Sequence, residues 1–331
     1  MSARLILLVL GALALLGVAL AATGVPIGQA LGTIVQGSFG NERALTGTLR
    51  EMTPLLLAGL AVFLALQAGL FNIGVEGQFL VGGLACSATA IAVPAAGLPL
   101  GLVAGMVAGA VWALPAGWIK AYRGGHEVIS TIMLNNVAGL MGAALVSGPL
   151  KAPGQESATT AMVAASARIP NLIDGERLKI NLALLVGIVL VFGLDRWLKK
   201  SVAGYELRAT GANPTAARAA GVDVPRVILL AMMASGAIAG AAGAVMVLAF
   251  EGRFYQGFSA GYGFDGLGVA LLAAGQAWGL IPSALLFGML NKGGTAIQIL
   301  GVPKGITYVL LGLLILIVAA VRYRKEASNG D

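Results

Sequence analysis

Charged side chains are scarce in this sequence. Asp, Glu, Lys and Arg make up 11% of its 331 residues, against 58% apolar residues, whereas a soluble globular domain carries about 25% charged residues. That shortage excludes an ordinary water-soluble fold and places the chain in a bilayer. Cysteine is reduced to Cys86, inside an apolar run, which rules out an internal disulfide and a cysteine metal site. A single histidine, His126, rules out a multi-histidine metal centre. Aromatic residues are few, at 6%, and the apolar runs are long and continuous. An outer-membrane barrel would instead alternate with a period of two over ten-residue segments. No GxxxxGK[ST] phosphate loop occurs. The nearest approach, GMLNKGGT, has its lysine misplaced and lies inside an apolar run, so this chain hydrolyses no nucleotide. Acidic residues do not punctuate the apolar runs in the manner of a proton relay or a sodium site. An ion-coupled carrier has little to work with, and uphill work by this chain would draw its energy from a partner.

What the sequence does have is glycine, 49 of them, and apolar runs of spanning length. Backbone groups in hydrocarbon must pair internally, and small residues let helix backbones approach closely. The expected fold is therefore an all-α integral membrane protein, one transmembrane domain over 1–331. With about 20 residues needed per span, it is a polytopic bundle of about ten transmembrane helices. They fall near 4–22, 53–70, 79–95, 98–119, 128–147, 181–198, 227–249, 265–277, 279–298 and 303–321. The eighth is short, and Gly275 and Trp278 mark a possible re-entrant turn.

Lys120, Arg123, Arg196, Lys199, Lys200, Arg208, Arg218, Arg226, Arg322, Arg324, Lys325 and Arg4 gather on one side of this map. The long loops 23–52 and 148–180 on the other side are poorer in positive charge. The first side is cytoplasmic by the positive-inside rule, with both termini on it. The net charge of +7 thus orients the chain in the bilayer and needs no nucleic acid to explain it. Residues 1–23 also fit a cleavable signal peptide; the length of the run favours a retained span. Trp112, Trp118, Trp197 and Tyr323 are expected as interface anchors.

Between the sixth and seventh spans lies a polar island, the expected cytoplasmic loop 199–226. Within it Asn213 can cap, Pro214 takes the first helical position, and Gly221 supplies a left-handed stop. A helix of two turns is marginal alone, so it either leans on its own bundle or docks on a partner. A second stretch, NIGVEGQ, interrupts two spans with glycine and places Asn72, Glu76 and Gln78 at or just inside the cytoplasmic boundary. It reads either as a tight turn, with Glu76 capping a helix or pairing with Arg123, or as part of a polar pathway. In the fifth span Thr131 and Asn135 share a face, with Asn136 beside it, as interhelical glue or pathway lining. In the ninth span Asn291, Thr295 and Gln298 form a polar stripe at i, i+4, i+7, with Lys292 alongside. The stripe and its lysine favour a hydrated cavity. His126 and Glu127 read as an inner-face cap or docking contact, since no nucleophile or metal cluster accompanies them.

Four stretches resemble a known family: AGLFNIGVEGQFLVGG at 68–83, GGHEVISTIMLNN at 124–136, LRATGANPTAARAAGV at 207–222 and GFDGLGVALLAAG at 263–275. Together they are similar to the membrane permeases of ABC importers of the simple-sugar, nucleoside and branched-chain amino acid class. The likeness is greatest to the longer permease of bacterial nucleoside uptake systems. The resemblance implies a multi-pass subunit of the bacterial inner membrane that moves a nucleoside or sugar-like solute inward by alternating access, without a cofactor of its own. It implies three partners: a cytoplasmic ABC ATPase, a second related permease forming a heterodimer, and an extracytoplasmic substrate-binding protein, for which the long outer loops are the expected contact. By the same resemblance, Gly211, Asn213, Pro214, Ala217, Arg218, Ala220 and Gly221 form the coupling helix seated on the ATPase. The rival reading is an ATP-independent carrier or channel for a small polar solute.

Overall fold

A computed structural model describes residues 24–303, 305–313, 315 and 316. The first expected span, its retention or removal, the end of the last span, Tyr323 and the basic residues Arg4, Lys304, Arg322, Arg324 and Lys325 lie outside the described residues. The described chain is a helical bundle with one small hairpin.

Helix α1 covers Ile27–Phe39 and α2 covers Glu42–Gln67. They are followed by α3 at Val75–Ala92, α4 at Gly97–Arg123 and α5 at Glu127–Ser147. Strands β1 (Asn171–Asp174) and β2 (Lys179–Asn181) pair antiparallel. Helix α6 spans Leu182–Lys200, α7 Val202–Ala212, α8 Pro214–Ala219 and α9 Val224–Val245, which runs on as a π-turn to Glu251. Last come α10 at Tyr262–Leu272 and α11 at Leu280–Ala296, with a further helical stretch over 305–313.

Among the described residues five helices are long and apolar enough to cross a bilayer: Glu42–Gln67, Val75–Ala92, Pro94–Arg123, Glu127–Ser147 and Val224–Glu251. They match the expected second, third, fourth, fifth and seventh spans with shifted ends. The eighth expected span is only the 11-residue α10, about 16 Å long, or half the hydrocarbon thickness. The turn expected at Gly275 is there, with Ala274 at φ 55° and Gly275 at φ 77°. The loop expected over 23–52 holds α1 and the start of α2. Helix α1 buries Ala30, Ile34 and Ser38 and packs on α11; at 13 residues it is too short to register as a span. Helix α2 begins where Asn41 accepts the Ala44 N–H and Glu42 opens the first turn, both favourable at a helix start.

The centre of the bundle is a glycine interface. Gly97, Gly101, Gly105 and Gly109 recur every fourth residue on α4 and are all buried. Gly101 faces Cys86 of α3, and Gly105 and Gly109 meet Gly82 of α3 and Gly236 and Gly240 of α9 so closely that a Cβ on Gly240 would collide with the Gly105 carbonyl. Backbones at this separation gain packing that Leu-lined helices cannot reach in a lipid solvent.

The two ends of the bundle differ. At one end are the end of α2, residues 120–127, the end of α6, α7 and α8: Gly211 packs against the Gln67 carbonyl and Lys120 pairs with Glu127 at 2.8 Å. At the other, Thr46 bonds residues 177 and 179, Arg50 pairs with Glu251 and Thr160 bonds Phe254. The segments that the charge count assigns to opposite sides thus occupy opposite ends.

Candidate functional site

At the end that carries α8, the local chemistry of the polar island is realised. Asn213 Oδ1 accepts the N–H groups of Thr215 and Ala216, each at 3.0 Å. Pro214 opens α8, and Gly221 stops it at φ 88°. The facing of its residues departs from expectation. Ala217 is 4% exposed and turned into the chain, and Gly211 is pressed against the α2–α3 turn. Pro214, Thr215, Ala216, Arg218, Ala219 and Ala220 form the outward surface.

The second site lies inside the bundle. After Gln67 the chain does not turn directly into α3. Residues 68–74 climb back as non-helical, largely buried backbone, and α3 begins part-way up. Its depth follows from its partners. Asn72 Nδ2 donates to Ser235 Oγ at 2.8 Å, and Ser235 donates to the Ala61 carbonyl at 2.7 Å. Ser235 stands eleven residues into the 22-residue α9, about 16 Å from its start. Asn72, Glu76 and Gln78 are therefore at mid-height and not at the expected cytoplasmic boundary. An apolar re-entrant loop has the hydropathy of a span, so the apolar run alone misplaced its start.

Broken backbone at this depth needs partners, and side chains from neighbouring helices supply them. Asn135 of α5 grips both sides of the break: its Oδ1 accepts the Gly77 N–H at 2.8 Å and its Nδ2 donates to the Ile73 carbonyl at 2.9 Å. Asn72 Oδ1 accepts the Gly74 N–H at 3.0 Å, and its Nδ2 donates to Gln78 Oε1 at 3.0 Å. Thr131 is buried against Gly74, its hydroxyl bonded to the Glu127 carbonyl at 2.8 Å. Glu76 reaches across to α10, where Oε2 accepts the Gly263 N–H at 2.8 Å. A carboxylate at that N-terminus is well placed against the helix dipole. The alternative pairing of Glu76 with Arg123 does not form; Arg123 lies over the Trp118 ring, 5.5 Å from its centroid. His126 precedes α5 without a side-chain cap. Trp112 is not an interface anchor: its ring nitrogen is buried beside Gly77.

Two mid-height helix starts, α3 and α10, thus meet at Glu76. Around them Tyr262 donates to Glu51 at 2.8 Å, and Asn291 of α11 donates to Asp265 at 3.1 Å. The remaining expected residues do not join this group. Asn136 points out of the chain and donates only to Ile132 O of its own helix. Lys292 lies over Gly47 of α2, Thr295 bonds the Lys292 carbonyl, and Gln298 is exposed in a 3₁₀ turn. The expected stripe of α11 is broken, because its helix changes pitch at residue 297 and only Asn291 faces inward.

Residues 254–262 were passed over in the sequence, although they place four aromatics in nine positions of an aromatic-poor chain. Phe258 stacks on Phe254 with centroids 4.6 Å apart, and Phe79 contacts Phe258 at 5.8 Å and Tyr262 at 5.7 Å. Beside this cluster a cavity of about 210 Å³ lies between α3 and α5, walled by Leu80, Gly139, Gly142, Phe258 and Ser259. Tyr255 and Gln256 separate it from an outer cavity of about 650 Å³ lined by Ser157, Met162, Glu251 and Arg253.

Asn135→Leu is expected to lower the melting temperature of the purified chain strongly. It orphans a buried N–H and a buried carbonyl, at about 1–3 kcal/mol each. Asn136→Leu, one residue on, should leave it unchanged. Equal melting of the two variants would refute the role assigned to Asn135.

Residues 44–319 match the family model described as branched-chain amino acid transport system / permease component. The chain is 38% identical to the guanosine ABC transporter permease protein of Bacillus subtilis, over 93% of this chain and 92% of that protein. It is 34% identical to the glucose ABC transporter permease protein of Haloferax volcanii, over 98% of this chain and 89% of that one. A putative glucose ABC transporter permease protein from the same organism is 32% identical, over 75% of each. No solved structure gives a significant match. The family model covers more than half of the chain, and the relatives align along most of their own length. This chain belongs to the branched-chain amino acid transport system permease component family.

Proposed function

We propose that this chain is the membrane-spanning permease subunit of an ATP-driven importer in a bacterial inner membrane, carrying a nucleoside or sugar-like solute inward by alternating access. The observation that carries the reading is the near full-length likeness to a guanosine permease, joined to a capped helix, α8, presented at one end of a chain that has no phosphate loop. In this reading about ten spans cross the membrane, both termini and the loop 199–226 are cytoplasmic, and α8 seats on the partner ATPase through its exposed face. The ATPase hydrolyses the nucleotide and draws the coupling helices together, so that two membrane bundles rock between outward and inward opening.

A second, related permease is the other partner. Its support is the pair of similar permeases from one organism and the outward face of α5. There Ile129, Met133, Val137 and Leu140 are exposed and Asn136 stands among them at mid-height. A lone amide is costly against lipid, and a protein neighbour or a hydrated seam gives it partners. The two cavities on either side of Tyr255 and Gln256 lie beside this face and form this chain's half of the pathway. The outer loops receive the substrate-binding protein.

The test is reconstitution. The chain, assembled in vesicles with the ATPase, second permease and binding protein encoded beside it, should accumulate labelled guanosine or glucose only with ATP on the ATPase side. Accumulation of equal size by the chain alone, without ATP, would make it a secondary carrier. Orientation is checked in a Cys86→Ala background with an impermeant thiol reagent: Ser157→Cys should label in intact cells and Ala216→Cys should not.

A further inference from the structure

At the end of the bundle that bears the β-hairpin, a cavity of about 330 Å³ opens between α2, the start of α6 and the end of the α9 π-turn. Three cations line it: Arg50, Arg168 and Lys179. Two are balanced, Arg50 by Glu251 and Lys179 by Asp174. Among the described residues Arg168 has no carboxylate. Its guanidinium lies across the backbone of Gly252, in the space where any other residue would carry a Cβ. Asn171, Asn181 and Thr46 add polar atoms to the wall, and no acidic side chain lines it. Arg168 is thus a half-buried cation on the wall of this cavity, with no ion-pair partner among the described residues, in a chain that has few charges at all.

We propose that this cavity binds the phosphate of an anionic membrane lipid, with Arg168 as its anchor. A guanidinium recognises phosphate through two parallel charge-assisted hydrogen bonds. The apolar surroundings select a lipid over a soluble anion. Leu184 and Phe250 form part of the wall, and Leu184 stands in the first turn of α6. On the adjoining, outward face of that helix Leu185, Val186, Val189 and Phe192 are exposed, an apolar track that begins one residue past the cavity wall. A ligand with an anionic head and hydrocarbon tails matches both features, whereas phosphate or an acidic side chain matches only the first. The inference requires only that the chain spans a membrane, and it stands apart from which solute is carried.

The experiment is native mass spectrometry of the full chain in detergent, titrated with dioleoyl phosphatidylglycerol and, separately, with zwitterionic dioleoyl phosphatidylcholine. The native chain should bind the anionic lipid in preference. Arg168→Gln should weaken that binding by about tenfold, the loss of one charge-assisted contact, and leave the zwitterionic lipid unaffected. Arg168→Lys should recover part of it, which separates loss of charge from loss of fold. Arg43→Gln, at the same end but outside the cavity, should bind like the native chain. Three outcomes overturn the proposal: equal binding of the two lipids by the native chain, equal weakening by Arg168→Gln and Arg43→Gln, or full displacement of the anionic lipid by millimolar phosphate or acetate. The last would assign the cavity to a soluble anion or a docked acidic side chain.

Discussion

A chain carrying Ala216→Trp and Ala220→Trp is expected to insert, fold and melt like the native one, yet to retain less than about a tenth of ATP-driven uptake. Ala216 lies on the exposed face of α8 and Ala220 is its exposed C-cap, so the indoles disturb nothing within the chain. On the proposed function that face is held in a cleft of the ATPase, and overpacking a close contact costs about 1–3 kcal/mol. Capture of the ATPase on the tagged permease and uptake should therefore fall together. Ala217→Trp is the informative contrast. Ala217 is 4% exposed and packs within the chain, so this variant should lower the melting temperature of the isolated permease, which the other two leave alone. If the double variant still captures the ATPase and transports at the native rate, α8 is an internal elbow and the docking surface lies elsewhere.

Gly240→Val should have the largest effect on stability. At Gly240 a Cβ would meet the Gly105 carbonyl and come within 3.1 Å of the Gly109 Cα. These obstacles are backbone atoms of α4, which cannot swing aside as a side chain can. Relief requires α4 and α9 to separate, and α3, which packs on both through Gly82, loses its seat at the same time. The cost should exceed the usual 1–3 kcal/mol of overpacking, a large share of the roughly 5–15 kcal/mol that holds a folded chain. Size-exclusion chromatography after detergent extraction should show aggregate in place of a single peak. Gly139→Ala on α5, where a Cβ meets nothing within 4 Å, should behave as native. A monodisperse Gly240→Val protein with unchanged melting would show that the glycine interface does not hold these three helices.

By itself the sequence determined whatever depends on composition or on one turn of chain. Scarce charge and long apolar runs settled the membrane class, because the solvent acts on each segment separately. Asn213, Pro214 and Gly221 settled α8, because a cap bonds residues two or three positions away and a left-handed stop concerns one residue. The five long helices were legible for the same reason, with ends displaced where Asn41 capped earlier or where an apolar loop continued the run. Depth and facing were decided only by the tertiary structure. Asn135 and Asn136 are identical neighbours, yet one mends the break before α3 and the other points out of the chain, since their directions differ by about 100° around the helix. Ala216 and Ala217 part in the same way. Glu76 acquires its role from Gly263, 187 positions distant, and Asn72 from Ser235, 163 positions distant. No local rule sees such pairs: they exist because glycine interfaces set α3, α4 and α9 at one separation and height, and that height brings a broken helix start level with the N-terminus of α10.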